Sequence, residues 1–475
     1  MNTKFISWVS MGTTSLLGLS VLTWWFMYDP TENIILKSPG MDNRPAKLTR
    51  VTETINIGEH FEKFDGVPSK ITGEWTRFRG SDFDNINKEK IKLVENWSES
   101  GPKILWSIEL GEGHAAPAVY GGRVYLLDYS EEKKADVLRS FSLDDGREIW
   151  QRWYNVEIKR NHGMSRTIPA VSDKYVVTMG PRCHVMCVDT DSGTFRWGIN
   201  LEKEYGTEVP LWYTGQCPLI DNSVAVIAPV GKSLMIGVDC ANGNVVWETP
   251  NPNNWKMSHS SIIKATFFGK KMYVYAALGG VVGISAEGEN QGQILWETTL
   301  FNHSVVAPAP VILPDNRIYL TAGYGAGSVV IKILNENGAY KAELIQKLAP
   351  KEGFASEQQT PILYKEHLFG ILPKDAGGLK TQFVCCSADN CSKILWSSGK
   401  TNRFGLGPYI IADGKFFILS DDGELTVAKV STKEYQQLAK AKILEGVDAW
   451  GPLAIVNGRL LARDSKNMVC IDLRK

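Results

Sequence analysis

Charge of one sign is what this sequence most lacks: its 475 residues carry 52 Lys and Arg against 52 Asp and Glu, for a formal net charge of zero. No basic patch stands out either, which removes the electrostatic footprint that nucleic-acid binding needs. Cysteine is absent before position 183, and the eight cysteines of the chain form no CxxC pair. The first absence excludes a lipid-anchored N-terminal cysteine; the second argues against a zinc site. Long apolar runs are scarce too, with one exception. From Phe5 to Tyr28 no side chain is charged, and 24 residues at about 1.5 Å each give roughly 36 Å of helix, enough to cross a bilayer core.

Lys4 precedes that run, while Asp29 and Glu32 follow it. The positive-inside rule then places the N-terminus in the cytoplasm and the rest of the chain outside. The stretch "SVLTWWFMYDP" puts bulky aromatics where a cleaved signal peptide needs small residues, and Trp24, Trp25 and Tyr28 suit an interfacial belt. An uncleaved transmembrane anchor is therefore expected over 1–28. Residues 29–73 carry Pro30, Pro39, Pro45 and Pro68 among charges and lack periodicity, so they read as an extracytoplasmic linker with one short strand at "RVTETINI".

What the sequence has in quantity is a repeat. "DDGREIWQRW", "DSGTFRWGINL", "ANGNVVWETP", "NQGQILWETTL" and "NCSKILWSSG" place tryptophans at 150, 197, 247, 296 and 396, which lie 47, 50, 49 and 100 residues apart. The double gap holds a degenerate copy, with Gln346 in the tryptophan's place. Each period opens on a proline, as in "TIPAVSDKYVVTM", and continues through two short apolar strands, a third strand and a tight Gly turn into the tryptophan strand. Four antiparallel strands per fifty residues make one propeller blade.

Counting from Trp106 to a weak copy near "AKAKILEG" gives eight such strands. The last segment, "WGPLAIVNGRLLARDSKNMVCIDLRK", has three strands, and the missing fourth is available in "KILWSIEL" around Trp106. The expected fold is thus an all-β, eight-bladed propeller over residues 74–475, its ring closed by an N-terminal strand that removes an exposed edge. This blade pattern resembles the PQQ-type repeat of quinoprotein dehydrogenases and of the BamB-like outer-membrane assembly lipoproteins. The stretch "WTRFRGSDFDN" (75–85) resembles the lead-in of exported or membrane-anchored bacterial PQQ-like propellers. The resemblance implies a fold, and it leaves open whether the chain is an enzyme, since the scaffold hosts both kinds of protein.

The pair in "VCCSADNC" suggests redox chemistry, because the resemblance implies an adjacent Cys pair beside a quinone cofactor. Aligning third strands, however, puts Ser142, Cys187, Gly237, Gly283, Cys385 and Cys470 in one column, where small residues serve packing. Cys386 and Cys391 sit where a hairpin disulfide would form in an oxidising compartment. Function is expected instead at the channel mouth, where the lead-in segments and the loops between second and third strands emerge on one face. These gather His114, His162, Arg166, Trp212, Tyr213, Gln216, His259, His303, Glu357, Gln358, Arg403 and Trp450 around one opening.

The resemblance to quinoproteins implies PQQ held with Ca²⁺ over an aromatic platform, a place for Trp212 or Trp450 with Arg166 or Arg403 on the cofactor's carboxylates. The calcium set is not evident: Glu357 and Asp448 are the carboxylates of the lead-in segments, with Asp421 and Asp464 in the other loops. The resulting expectation is a single-pass inner-membrane protein of a bacterium, its periplasmic propeller binding a small anionic ligand or an envelope protein partner without catalysis and with no cofactor. The alternatives are a PQQ- and Ca²⁺-dependent alcohol or sugar oxidoreductase and a BamB-like scaffold.

Overall fold

The computed structural model describes residues 3–28, with side chains from Met11, together with 55–446 and 448–475. The chain divides into two compact units, Met1–Thr54 and Ile55–Lys475. In the first, a helix spans Thr3–Met27. Leu16, Leu19, Leu22 and Trp25 on it are all exposed. Its Ser20 and Thr23 hydroxyls donate back to the carbonyls of Leu16 and Leu19. Among the described residues no helix is long and apolar enough to cross a membrane. Within this helix Gly12, Thr13, Thr14 and Ser15 interrupt the apolar run. The strand expected at 50–57 lies largely outside the described residues, and Ile55–Ile57 are not in a strand.

The second unit contains eight sheets, seven built on four consecutive strands and the eighth on strands from both ends of the domain. The first blade runs Ala118–Tyr120, Arg123–Ser130, Ala135–Ser142 and Glu148–Asn155. The last blade has three strands from the C-terminal end, Ala454–Val456, Arg459–Arg463 and Asn467–Asp472. Its fourth is Lys103–Glu109, antiparallel to Asn467–Asp472 with Trp106 opposite Cys470. The ring is closed in the way the sequence predicts.

Each outer-strand tryptophan faces a small residue on its own third strand: Cys187 with Trp197, Gly237 with Trp247, Gly283 with Trp296, and Cys385 with Trp396. A Cβ on Gly237 would lie 2.2 Å from the Trp247 ring, and one on Gly283 would lie 2.1 Å from Trp296. In the first blade the partner of Trp150 is Ser140, not Ser142 as the alignment expects. The two serines share a strand face, so size alone does not separate them. The other side of each ring meets the next blade. Gly146, Gly193 and Gly243, at φ of 71°, 67° and 79° respectively, turn directly over Trp106, Trp150 and Trp197. A side chain there would be strained by the backbone and would strike the indole. Where Gln346 replaces the tryptophan, its amide donates to Asn390 and accepts from the Cys391 N–H, so a hydrogen-bonded contact docks that blade on its neighbour.

Residues 55–73, expected as linker, belong to the propeller unit. His60–Lys63 adds a fifth strand beside Glu148–Asn155, and the Arg152 guanidinium covers the Phe61 ring at 4.7 Å. The next segment enters the ring itself. Trp75 bridges to Val119, and Ile86–Asn87 pairs in parallel with the innermost strand Tyr409–Ala412. Buried Arg79 donates from Nη1 to the Thr360 carbonyl at 2.7 Å and from Nη2 to that of Pro361 at 2.9 Å. The stretch "WTRFRGSDFDN" is therefore a packed insert that touches two innermost strands, Ala118–Tyr120 through Trp75 and Tyr409–Ala412 through Asn85.

All eight cysteines are reduced and buried, including Cys386 and Cys391, which the sequence pairs as a disulfide. Contact with Cys391 and burial push the Cys386 thiol upward. Closure makes Trp106 the most informative position for stability. Trp106→Ala is expected to cost about 3–5 kcal/mol. Deleting 74–110 is expected to give an oligomeric or aggregated chain. Thermal melting and size-exclusion chromatography check both; a monomer that melts like the intact chain would show another closure.

Candidate functional site

Prolines such as Pro117, Pro218 and Pro361 stand just before the innermost strands. They remove a donor from the backbone, so the lead-in segments leave the sheets and arch over the ring. With the turns between second and third strands they enclose a cavity of about 320 Å³. His114, Arg166, Trp212, His259, Glu357, Gln358 and Trp450 line it, as does His162. Phe78 reaches it from the insert inside the ring, and Ile168, Val305, Ala307, Leu406 and Pro452 add apolar lining.

Arg166 is held by carbonyls alone. Its Nε donates to Trp212 at 2.6 Å, and its Nη2 donates to Asn161 at 3.1 Å and to His162 at 2.6 Å. Burial pulls its pKa down to about 10, with no carboxylate opposing the shift. Nη1 has no hydrogen-bond partner among the described residues. The same cation acts on both neighbouring imidazoles. His114 is pushed down to about 3 by burial and then by Arg166 and Arg463. His259 is pushed down to about 4 by burial and then by Arg166. Both rings are neutral near pH 7.

Aromatic faces complete the wall. His114 stacks on Trp450 with centroids 4.8 Å apart, and Trp212 stacks on Tyr324 at 6.0 Å. Trp212 and Tyr324 both take positive φ, 67° and 57°. Bulky residues rarely occupy that region, and such strain persists where surrounding contacts hold it.

Four expected positions lie outside the cavity lining. The Gln216 amide is fully buried and bonds both the Ala228 carbonyl and its N–H. Tyr213 turns away and donates to the Lys159 carbonyl at 2.5 Å. His303 packs edge-on against Phe301. Arg403 braces a loop by donating to the carbonyls of Lys380 and Gly378. Proximity in the sequence to an innermost strand brought these four into the set, but the loop conformation directs their side chains elsewhere.

The comparisons with known proteins agree with this architecture. The family model described as outer membrane protein assembly factor BamB matches residues 92–228, 133–390 and 231–475. The chain belongs to this BamB-type family of PQQ-like propellers. No curated protein sequence matches it. Among solved structures, BamB from Moraxella catarrhalis is 14% identical over 78% of this chain and 99% of that one, with a TM-score of 0.52. A europium-containing methanol dehydrogenase is 11% identical over 84% of this chain and 89% of that one, at 0.54. The computationally designed Ika8 protein is 13% identical over 78% and 99%, at 0.51. At these identities the likeness shows the fold alone.

Quinoprotein relatives raise the matter of PQQ and calcium in this PQQ-like propeller. The cavity lining contains one carboxylate, that of Glu357. Asp464 is spent on the N–H groups of Gly446, Lys466 and Asn467, while Asp421 accepts from Leu406 N. Calcium takes about six to eight oxygen ligands, and this set does not supply them. Among the described residues no group of three or more His, Cys, Asp or Glu is gathered for a metal. Cys385 and Cys386 lie in a third strand, away from the lining.

Sequence reasoning missed Phe78, Tyr324, Lys374 and Gln359. Tyr324 and Lys374 follow second strands, a loop class already assigned to this face, so a signal for them was present. Phe78 had none, because only the folded insert brings it inward.

The depressed histidines set a pH dependence. Each unfolded imidazole takes up a proton near pH 6.5 that the folded one resists, so stability present above that pH is lost as pH falls toward 4. Asp136, raised to about 7 by burial, acts in the opposite sense, its contribution fading as pH rises from about 3.8 to 7. The test is therefore a difference. The melting temperature of His114→Asn/His259→Asn is expected to fall less than that of the wild type between pH 6.5 and 4, and equal slopes would contradict the assignment.

Proposed function

We propose that this PQQ-like propeller is a membrane-anchored, extracytoplasmic binding protein whose channel mouth takes a small anionic ligand without catalysis. One observation carries the reading: Arg166 is a largely buried cation at a ligand-sized cavity, with no counter-ion among the described residues. A desolvated charge left unpaired is costly, and an incoming anion relieves it. The neutral histidines add donors and stacking surface without adding charge.

The lining supports binding over chemistry. Burial pushes the Cys217 thiol up to about 11, which keeps it protonated. The Ser261 hydroxyl oxygen accepts from Cys217 N at 3.0 Å instead of facing a base. For the anchor, the exposed apolar side chains over residues 11–27 and the internally satisfied hydroxyls of Ser20 and Thr23 suit lipid surroundings. The flanking charges orient it with the propeller on the periplasmic side.

Two measurements test the reading. Fluorescence of Trp212 and Trp450 in the purified full-length protein should respond to a panel of small anions, 3-phenylpropionate and inorganic phosphate among them. Arg166→Ala should weaken the best binder by about 1.5–3 kcal/mol, the worth of a charge-assisted hydrogen bond. Arg403→Ala, which removes only a loop brace, should lower the melting temperature and leave binding alone. Equal effects of the two substitutions on binding, or alcohol oxidation on adding PQQ and Ca²⁺, would overturn the reading. Separately, the protein should stay in the membrane fraction through a carbonate wash; a mature N-terminus beyond Tyr28 would overturn the anchor.

A further inference from the structure

The cavity lining carries a second charge without a counterpart. Glu357 accepts one hydrogen bond, from the Lys374 backbone N–H at 3.3 Å, and makes no ion pair among the described residues. Lys374 also lines the cavity, and its ammonium acts on the Asp421 carboxylate. Glu357 is also held in place: a Cβ on Gly323 would lie 2.3 Å from its Cγ, so the glycine leaves the space that its side chain fills. The carboxylate is close enough to Tyr324 to raise the phenol further after burial has done so.

Arg166 and Glu357 therefore stand at the two ends of one aromatic pair. Arg166 is bonded to the Trp212 carbonyl, the Trp212 ring stacks on Tyr324, and Tyr324 faces Glu357. The same lining carries the apolar and aromatic side chains of Phe78, Ile168, Leu406 and Trp450. A simple anion would satisfy Arg166 and leave Glu357 facing like charge. An occupant with an ammonium group as well satisfies both. A volume of about 320 Å³ lies at the small end of ordinary ligand sites, roughly 300–1,000 Å³, and leaves no room for a longer chain inside.

Resting on the anion-binding reading above, we infer that the cavity takes a short zwitterion with a large apolar side chain, an amino acid or dipeptide, its carboxylate on Arg166 and its ammonium on Glu357. Nothing is transformed; the occupant is bound and released.

Isothermal titration of the full-length protein tests this with L-phenylalanine, glycyl-L-phenylalanine, N-acetyl-L-phenylalanine and L-phenylalanine amide. The tighter of the two zwitterions should bind at least tenfold more strongly than the acetylated and amidated forms, and which of them it is names the source of the ligand. Glu357→Gln should erase the advantage over the acetylated form. Arg166→Ala should erase the advantage over the amide. If the acetylated form binds as well as the zwitterions and depends on Arg166, the anion site stands and the zwitterion inference falls. If no probe binds, or binding ignores both substitutions, the inference falls as well, and the anion panel decides the reading beneath it.

Discussion

The contact on which this molecule depends is a tryptophan caught between two glycines or their equivalents. Trp197 illustrates it: Cys187 faces the ring from its own blade, Gly243 turns over it from the next, and its indole N–H donates to the Cys240 carbonyl at 3.0 Å. An indole placed this way belongs to two blades at once. No blade buries its outer strand alone, so stability accrues to the joints between neighbours and the ring behaves as one body. Even the copy with Gln346 in the tryptophan's place keeps a joint, through the Gln346 amide.

That joint is why so much of the fold could be read in the sequence. A steric demand repeated every fifty residues leaves small residues, glycine turns and tryptophans in register, and the unpaired ends of the chain betray the closing strand. The one slip, Ser142 for Ser140, came from two small residues on the same strand face. Distance to the tryptophan separates them where size does not. The insert at 75–87 and the fifth strand at 60–63 were not legible, because their partners are remote. Nothing near Arg79 announces that its donors end on the carbonyls of Thr360 and Pro361.

The mouth was legible by address and not by aim. Position just before an innermost strand identified the right loops, and Arg166, His114 and His259 do face the cavity. Whether a lead-in side chain turns inward is decided by backbone angles that no periodicity encodes, such as the positive φ of Trp212 and Tyr324. The blades and their lead-ins thus answer to different constraints. Blades repeat because the joint repeats, while the mouth varies because each loop meets a different neighbour, and a family likeness set by the joint says little about the occupant.

Pairing the strand at Trp106 with the one at Cys470 also governs the order of assembly. A strand made early in synthesis must wait for one made near the end, and Arg79 likewise waits for Thr360. Until the last blade leaves the ribosome, the first part of the chain holds an open edge and an unburied indole. Contacts of such long sequence separation fold slowly and expose sticky intermediates. A chain of this topology has reason to be escorted until its two ends meet.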